Sequence, residues 1–171
     1  DRLLAGLEIG DREIADMGVG GLLMEIPTRP QPREPRTRVS TSLYAVLLAA
    51  GRGQRMGGPN KLMADFAGTP LVRRVADAMS ASKLRATVAV IGHQSQRVRA
   101  ALEGSDVRLV DNPDYVTGLA SSLKAGVKAL PPDAAGALIA LGDMPGVSTQ
   151  DVDRLIEAFL AARGTSIVRA T

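Results

Sequence analysis

The sequence predicts an α/β fold of three layers, a mostly parallel sheet covered by helices on both faces. Three observations predict it. Short aliphatic runs recur at Leu43–Ala50, Ala86–Ile91, Val107–Val110 and Ala137–Leu141. Amphipathic stretches at helical spacing separate them. Each run ends in turn-forming or polar residues: Gly51, Gly92-His93, Asp111-Asn112 and Gly142-Asp143. Strands alternating with helices imply parallel pairing with right-handed crossovers. In such sheets ligands sit beyond the carboxyl ends of the strands.

The elements follow in order. Residues 1–26 carry Leu3, Leu4, Leu7, Ile9 and Ile14 and are broken by Gly18-Val19-Gly20-Gly21. Ile9-Gly10-Asp11-Arg12-Glu13 reads as a helix start with Asp11 as N-cap. The piece is too short to hold a core of its own and is expected to pack on the main domain or to be the tail of a preceding domain. Residues 27–38 hold four prolines and four arginines in twelve positions. Residues 27–42 therefore read as an extended, solvated linker. From 43 to 171 a single α/β domain is expected. Leu43–Ala50 is its first strand. Thr69 is expected to cap a helix that has Pro70 in its first turn and Leu71, Val75, Ala78 and Met79 on one face. Helices are also expected over Gln94–Leu102, with Val98 and Leu102 inward, and over Gly118–Leu130. A last helix capped by Ser148 or Thr149 runs to about Ala162. Thr165–Val168 reads as a further strand.

Composition excludes several classes. The chain is 45% hydrophobic and 2% aromatic, so its core is aliphatic. No apolar run is long enough to span a membrane. No basic n-region followed by an apolar h-region stands at Asp1-Arg2, which with the lack of cysteine leads to the expectation of a cytoplasmic protein. Thiol and disulfide chemistry are excluded, and a lone histidine, His93, builds no His-rich metal site. A net charge of +3 suits anionic ligands. It does not argue for nucleic acid, because two tyrosines and two phenylalanines offer few stacking platforms.

The chemistry lies at the strand ends. Leu47 to Lys61 is a buried run leading into glycines at 51, 53, 57 and 58, with Arg52, Arg55 and Lys61. Glycines let backbone N–H groups approach an anion, and guanidinium and ammonium groups add charge-assisted bonds. The stretch is not a P-loop, since Pro59-Asn60 stands where Lys-Ser/Thr belongs. Nor is it a dinucleotide fingerprint, since Met56 occupies the place of the third glycine. Asp143 follows an apolar strand and either ligates a divalent metal or caps the next helix. A carboxylate beside a phosphate loop is what Mg²⁺-nucleotide chemistry requires. Ser121 and Ser122 open a helix, as N-caps or as contacts to a phosphorylated ligand. His93 reads as a base or as a surface histidine. Asp111 and Asn112 precede Pro113 in a turn signal and are candidates to touch ligand.

Together these segments resemble a known family. Leu48-Ala49-Ala50-Gly51-x-Gly53-x-Arg55-Met56-Gly57 with Lys61-Leu62 is similar to the signature loop of nucleotidyltransferases that use an NTP to activate a phosphorylated acceptor. Gly118-Leu119-Ala120-Ser121-Ser122-Leu123-Lys124-Ala125-Gly126 and Leu141-Gly142-Asp143-Met144-Pro145 resemble the molybdenum cofactor cytidylyltransferase branch of the MobA-like NTP transferases. The likeness covers residues 43–171. It implies the Rossmann-like fold of nucleotide-diphospho-sugar transferases. It also implies Mg²⁺-dependent transfer from CTP to the phosphate of molybdopterin, with release of pyrophosphate. Leu48, Ala49, Ala50, Gly51, Arg52, Gly53, Gly92, Asn112, Ser121 and Ser122 would then bind nucleotide or acceptor. Arg55 and Lys61 would neutralise the triphosphate, and Asp143 would take the metal. Ala50 is similar to the cytidylyl rather than the guanylyl branch. Gly53 instead resembles methylerythritol-phosphate cytidylyltransferases, so a sugar or polyol phosphate is the alternative acceptor. A non-catalytic nucleotide-binding module is the alternative of another class. The family's later Gly-Asn-Pro-Val segment does not occur in the 171 residues, so the domain is expected to be incomplete at its C-terminus. Arg2-Leu3-Leu4-Ala5-Gly6, Asp16-Met17-Gly18 and Gly20-Gly21-Leu22-Leu23 resemble the end of a fused molybdopterin-binding domain. A molybdoenzyme or its chaperone is the partner this implies, with no nucleic acid and no membrane.

Overall fold

The computed structural model describes residues 7–9, 12–16, 23–26, 42–51, 60–162 and 167–168. The chain divides into two units, Asp1–Arg38 and Val39–Thr171.

The first unit holds three antiparallel strands in sequential order, β1 (Leu7–Ile9), β2 (Arg12–Asp16) and β3 (Leu23–Ile26). β2 pairs on both sides, Leu7 with Ile14 and Glu13 with Ile26. This corrects the helix expected to start at Asp11. Arg12 and Glu13 belong to a strand whose backbone groups bond to two neighbours rather than along a helix. Gly10 and Asp11 lie outside the described residues, as do residues 27–41 of the proline–arginine stretch.

The second unit is built on a four-stranded parallel sheet ordered β8-β7-β4-β9. Its strands are β4 (Leu43–Ala49), β7 (Ala86–Ile91), β8 (Val107–Asp111) and β9 (Gly136–Leu141). The helices are α1 (Leu71–Ser80), α2 (Ser95–Ala101), α3 (Leu119–Lys128) and α4 (Thr149–Ala161). β4 lies at the centre and is buried along its whole length. Its side chains alternate between two cores, as a strand covered on both faces must. Leu43, Ala45, Leu47 and Ala49 pack in one core with Val72, Val75 and Met79 of α1, Val98 of α2, and Val152 and Ile156 of α4. Val46, Leu48 and Ala50 join Val90 in the other, against Ala125 of α3, Tyr115 and Leu130. The chain steps outward from β4 to β7 to β8 and then returns to place β9 on the other side of β4. α3 makes that return, which is why it covers the opposite face from α1 and α2.

α3 approaches the sheet closely because it has glycine at 126. A Cβ there would overlap Val46 Cγ1 and stand 3.0 Å from Val90 Cγ2.

Two expectations change here. Thr69 and Pro70 form β6, which pairs antiparallel with β5 (Asp65–Phe66). Pro70 is the N-cap residue of α1, and no side chain caps that helix. Thr69 is held in a small hairpin, so its backbone is committed before the helix begins. The strand expected at Thr165–Val168 is also not found. Ile167 and Val168 have no strand assignment, while Thr165 and Ser166 lie outside the described residues. Among the described residues, β9 has no strand neighbour other than β4.

Of the two expected caps of α4, Ser148 is the N-cap, in a capping box, and Thr149 is the first helical residue. The Asp151 N–H donates to Ser148 Oγ at 3.2 Å, and the Ser148 N–H donates to Asp151 Oδ2 at 3.1 Å. The Ser148 hydroxyl, followed by its backbone N–H, holds the Asp151 carboxyl below the usual carboxylate range. A lowered folded value means that this stabilisation is fully present above the ordinary carboxylate pKa. It is lost as pH falls through the folded value. Replacing Ser148 with alanine is expected to cost about 1 kcal/mol at neutral pH. Thermal melts of the two proteins should draw closer on the acid side of the carboxylate range without meeting, because the bond from the Asp151 N–H to Ser148 Oγ does not titrate.

Candidate functional site

The carboxyl ends of the strands are tied into one edge. The His93 N–H donates to Ala50 O at 3.1 Å, joining the ends of β4 and β7. The Asn112 N–H donates to Ile91 O at 2.8 Å, joining β8 to β7. The Gly142 N–H donates to Leu48 O at 3.0 Å, joining β9 to β4. Ala50, Gly92, Asn112 and Gly142 therefore stand side by side. Strand order reverses between β4 and β9, and a crevice at such a switch point is where open α/β sheets bind ligands.

Each expected site residue falls into one of four situations. Leu48, Ala49 and Ala50 are buried, so their side chains are core and only their backbone reaches the edge. Gly51 is exposed, with nothing within 4 Å of a would-be Cβ. Arg52, Gly53 and Arg55 lie outside the described residues. The rest stand on or beside the edge.

Lys61 sits in a 3₁₀ turn, Lys61–Met63, that is pinned from several directions. Asn60 caps it, its Oδ1 accepting from the Leu62 N–H at 3.2 Å. Leu62 is buried against the sheet edge. Gly142 has no side chain because Leu62 occupies the space. A Cβ there would lie 2.8 Å from Leu62 Cδ2 and 3.4 Å from Val72 Cγ2. The neighbours of this contact are Lys61 on one chain segment and Asp143 on the other. A basic turn and an acidic strand end are thus brought together at the switch point.

Asp143 is exposed. It does not cap α4, whose capping box belongs to Ser148 and Asp151. Among the described residues, no group of three or more His, Asp or Glu side chains is placed to hold a metal. One exposed carboxylate still fits Mg²⁺, which commonly takes one or two carboxylates and fills its remaining positions with phosphate oxygens and water.

Asn112, Ser121 and Ser122 form a connected group. Asn112 Nδ2 donates to both serine hydroxyls at 3.0 Å, and its Oδ1 accepts from the Asp114 N–H at 3.0 Å. Asn112 and Ser122 are buried, whereas Ser121 is half-buried. The amide of Asn112 is engaged at both ends in shaping the start of α3. Gly92 is a packing glycine, since a Cβ there would stand 2.7 Å from Tyr115 Cβ and 2.9 Å from Ala50 Cβ. The His93 and Tyr115 rings are 6.0 Å apart. Asp111 is held by Arg99, whose Nη2 reaches both carboxylate oxygens at 3.0 and 3.1 Å.

Sequence reasoning did not single out Gln94. This residue begins α2 in the left-handed conformation, with φ 53° and ψ 38°. Its Oε1 accepts from Asn60 Nδ2 at 3.1 Å. Non-glycine residues rarely take that conformation, and only a glycine or asparagine would have signalled it in the sequence.

The parallel sheet with its switch point between β4 and β9 is that of solved nucleotidyltransferases, with the nucleotide-diphospho-sugar transferase fold. Residues 45–171 match the MobA-like NTP transferase domain, and the chain belongs to that family. The nicotine blue oxidoreductase of Paenarthrobacter nicotinovorans is 36% identical over 126 residues, covering 71% of this chain and 59% of that protein. A nucleotidyl transferase from Methanothermobacter superposes with a TM-score of 0.62 at 34% identity, covering 68% of this chain and 57% of the other. A manganese complex of Rv0371c from Mycobacterium tuberculosis superposes with a TM-score of 0.56 at 26% identity, covering 70% and 60%. The chain thus spans a little under two thirds of the length of these relatives. Among the described residues no helix is long and apolar enough to cross a membrane.

Proposed function

We propose that this chain carries the site of a molybdenum cofactor cytidylyltransferase. A terminal phosphate oxygen of molybdopterin attacks the α-phosphorus of CTP. The bond between the α-phosphorus and its bridging oxygen breaks, and pyrophosphate leaves. The observation that supports this reading is the packing of Leu62 against Gly142, which brings the turn bearing Lys61 to the end of β9 that leads into Asp143. The three spaced motifs and the alanine at 50 favour molybdopterin and CTP within the family.

The chemistry needs positioning and electrostatics, with no protein nucleophile. The backbone from Leu48 to Gly53 receives base and phosphates. Arg52, Arg55 and Lys61 balance triphosphate charge. Ser121, oriented by Asn112, lies on the nucleotide or acceptor side, while Ser122 and Gly92 shape the pocket from behind. Mg²⁺ held by Asp143 and phosphate oxygens would neutralise charge on the nucleotide. In the same reading residues 1–26 are the tail of a molybdopterin-binding domain and 27–42 a linker to the transferase domain at 43–171. The setting is cytoplasmic, with a molybdoenzyme or its chaperone receiving the product.

The test is pyrophosphate release from CTP and from GTP, with molybdopterin or methylerythritol phosphate as acceptor. Release with CTP and molybdopterin alone is the expected result. Release with methylerythritol phosphate would move the acceptor to the polyol class. Nucleotide binding without release would indicate a non-catalytic module. One relative named as an oxidoreductase supports a second reading. Turnover of nicotine blue with no pyrophosphate release would favour it.

A further inference from the structure

We propose that Gln94 is a positioning residue that sets Lys61 for the nucleotide through Asn60; the inference rests on the nucleotidyltransferase reading above. Position 94 has two separable duties. Its backbone carbonyl accepts the first bonds of α2, from the Arg97 N–H at 2.9 Å and the Val98 N–H at 3.2 Å. Any residue could do this, and glycine would do it with least strain at φ 53°. The glutamine side chain caps nothing in α2. Its Oε1 instead reaches across 34 positions of sequence to Asn60 Nδ2, and it also accepts from Arg97 Nη1 at 3.3 Å.

Asn60 passes this constraint on. With Nδ2 on Gln94, its Oδ1 holds the Leu62 N–H and its carbonyl holds the Met63 N–H at 2.9 Å. Lys61 is the residue between the tethered amide and the buried Leu62. A glutamine kept in a backbone state that disfavours it, with its side chain on the lysine-bearing turn, is accounted for by that turn and not by α2. Strained residues of this kind persist where surrounding structure holds them in place.

The whole chain is used for the test, with equilibrium binding of CTP, GTP, UTP and ATP in Mg²⁺ as the readout, alongside thermal melts. Gln94→Gly removes the side chain and relieves the backbone. Gln94→Asn tolerates the left-handed state but is one methylene too short to reach Asn60. Both are expected to weaken binding of the preferred nucleotide about fivefold, the worth of one hydrogen bond. Gln94→Gly should melt no lower than the parent, so weaker binding in this variant is not a loss of fold. In a Lys61→Met background, Gln94→Gly should change binding no further. Unchanged affinity in both single variants overturns the inference and leaves the proposed function standing. An undiminished effect in the Lys61→Met background overturns the route through Lys61. If the parent chain binds none of the four nucleotides, both readings fall together.

Discussion

Replacing Asp143 with asparagine is expected to lower pyrophosphate release a hundredfold or more, about what one preorganised electrostatic group contributes to a transition state. The side chain keeps its size and loses only its charge. Asp143 is exposed at the end of β9, and the cap of α4 is made by other residues, so folding should be indifferent to the change. The thermal midpoint should therefore correspond to a shift within about 0.5 kcal/mol of the parent. A companion titration with Mn²⁺ separates a weakened metal site from a lost catalytic charge. Saturating metal restores rate in the first case only. Full activity in the asparagine variant would remove Asp143 from the mechanism.

The second large effect concerns the fold. Gly126→Val should destabilise the second unit by about 3 kcal/mol or more, the upper range for forcing bulk into a packed core. The clash is with Val46 and Val90, side chains of the two central strands, and neither can move without opening the core. α3 would lift, carrying with it the Asn112–Ser121–Ser122 group at its first turn. Urea unfolding reads the loss directly. Gly146→Ala is the control, because a Cβ at 146 meets nothing within 4 Å. It should stay within about 0.5 kcal/mol of the parent.

Much of this architecture is readable from local pattern. The run Leu43–Ala50 is aliphatic throughout because a central strand is covered on both faces, and the observed strand agrees to within one residue. Ser148, one of two hydroxyl residues expected to cap the last helix, is its N-cap. Local signals failed where a pairing strand chose between two valid meanings. Thr69-Pro70 suits a helix start, yet pairing with Asp65-Phe66 claims both residues first. Asp11 suits an N-cap, yet β1 and β3 make strands of its neighbours.

The site was legible as a set of strand ends, since alternation of strands and helices fixes which ends share an edge. What the sequence could not disclose was how its members meet. That Gly142 is a glycine for the sake of Leu62, 80 positions earlier, emerges only once β9 is known to lie beside β4. Asn112 looked like a ligand contact because it ends a strand, and folding turns its amide toward two serines of the next helix. Gln94 gives no signal at all, for its backbone state is imposed by the turn it closes.

The scarcity of aromatic residues gives the molecule an optical property. With no tryptophan and only two tyrosines, its phenol emission comes from Tyr44 and Tyr115. Tyr44 is buried near the amino end of β4, in the dry interior. Tyr115 covers Gly92 and faces His93 at the opposite end of the sheet, on the rim of the candidate crevice. One phenol therefore senses the interior and the other the mouth of the site. The chain carries its own reference and its own reporter, with no label attached.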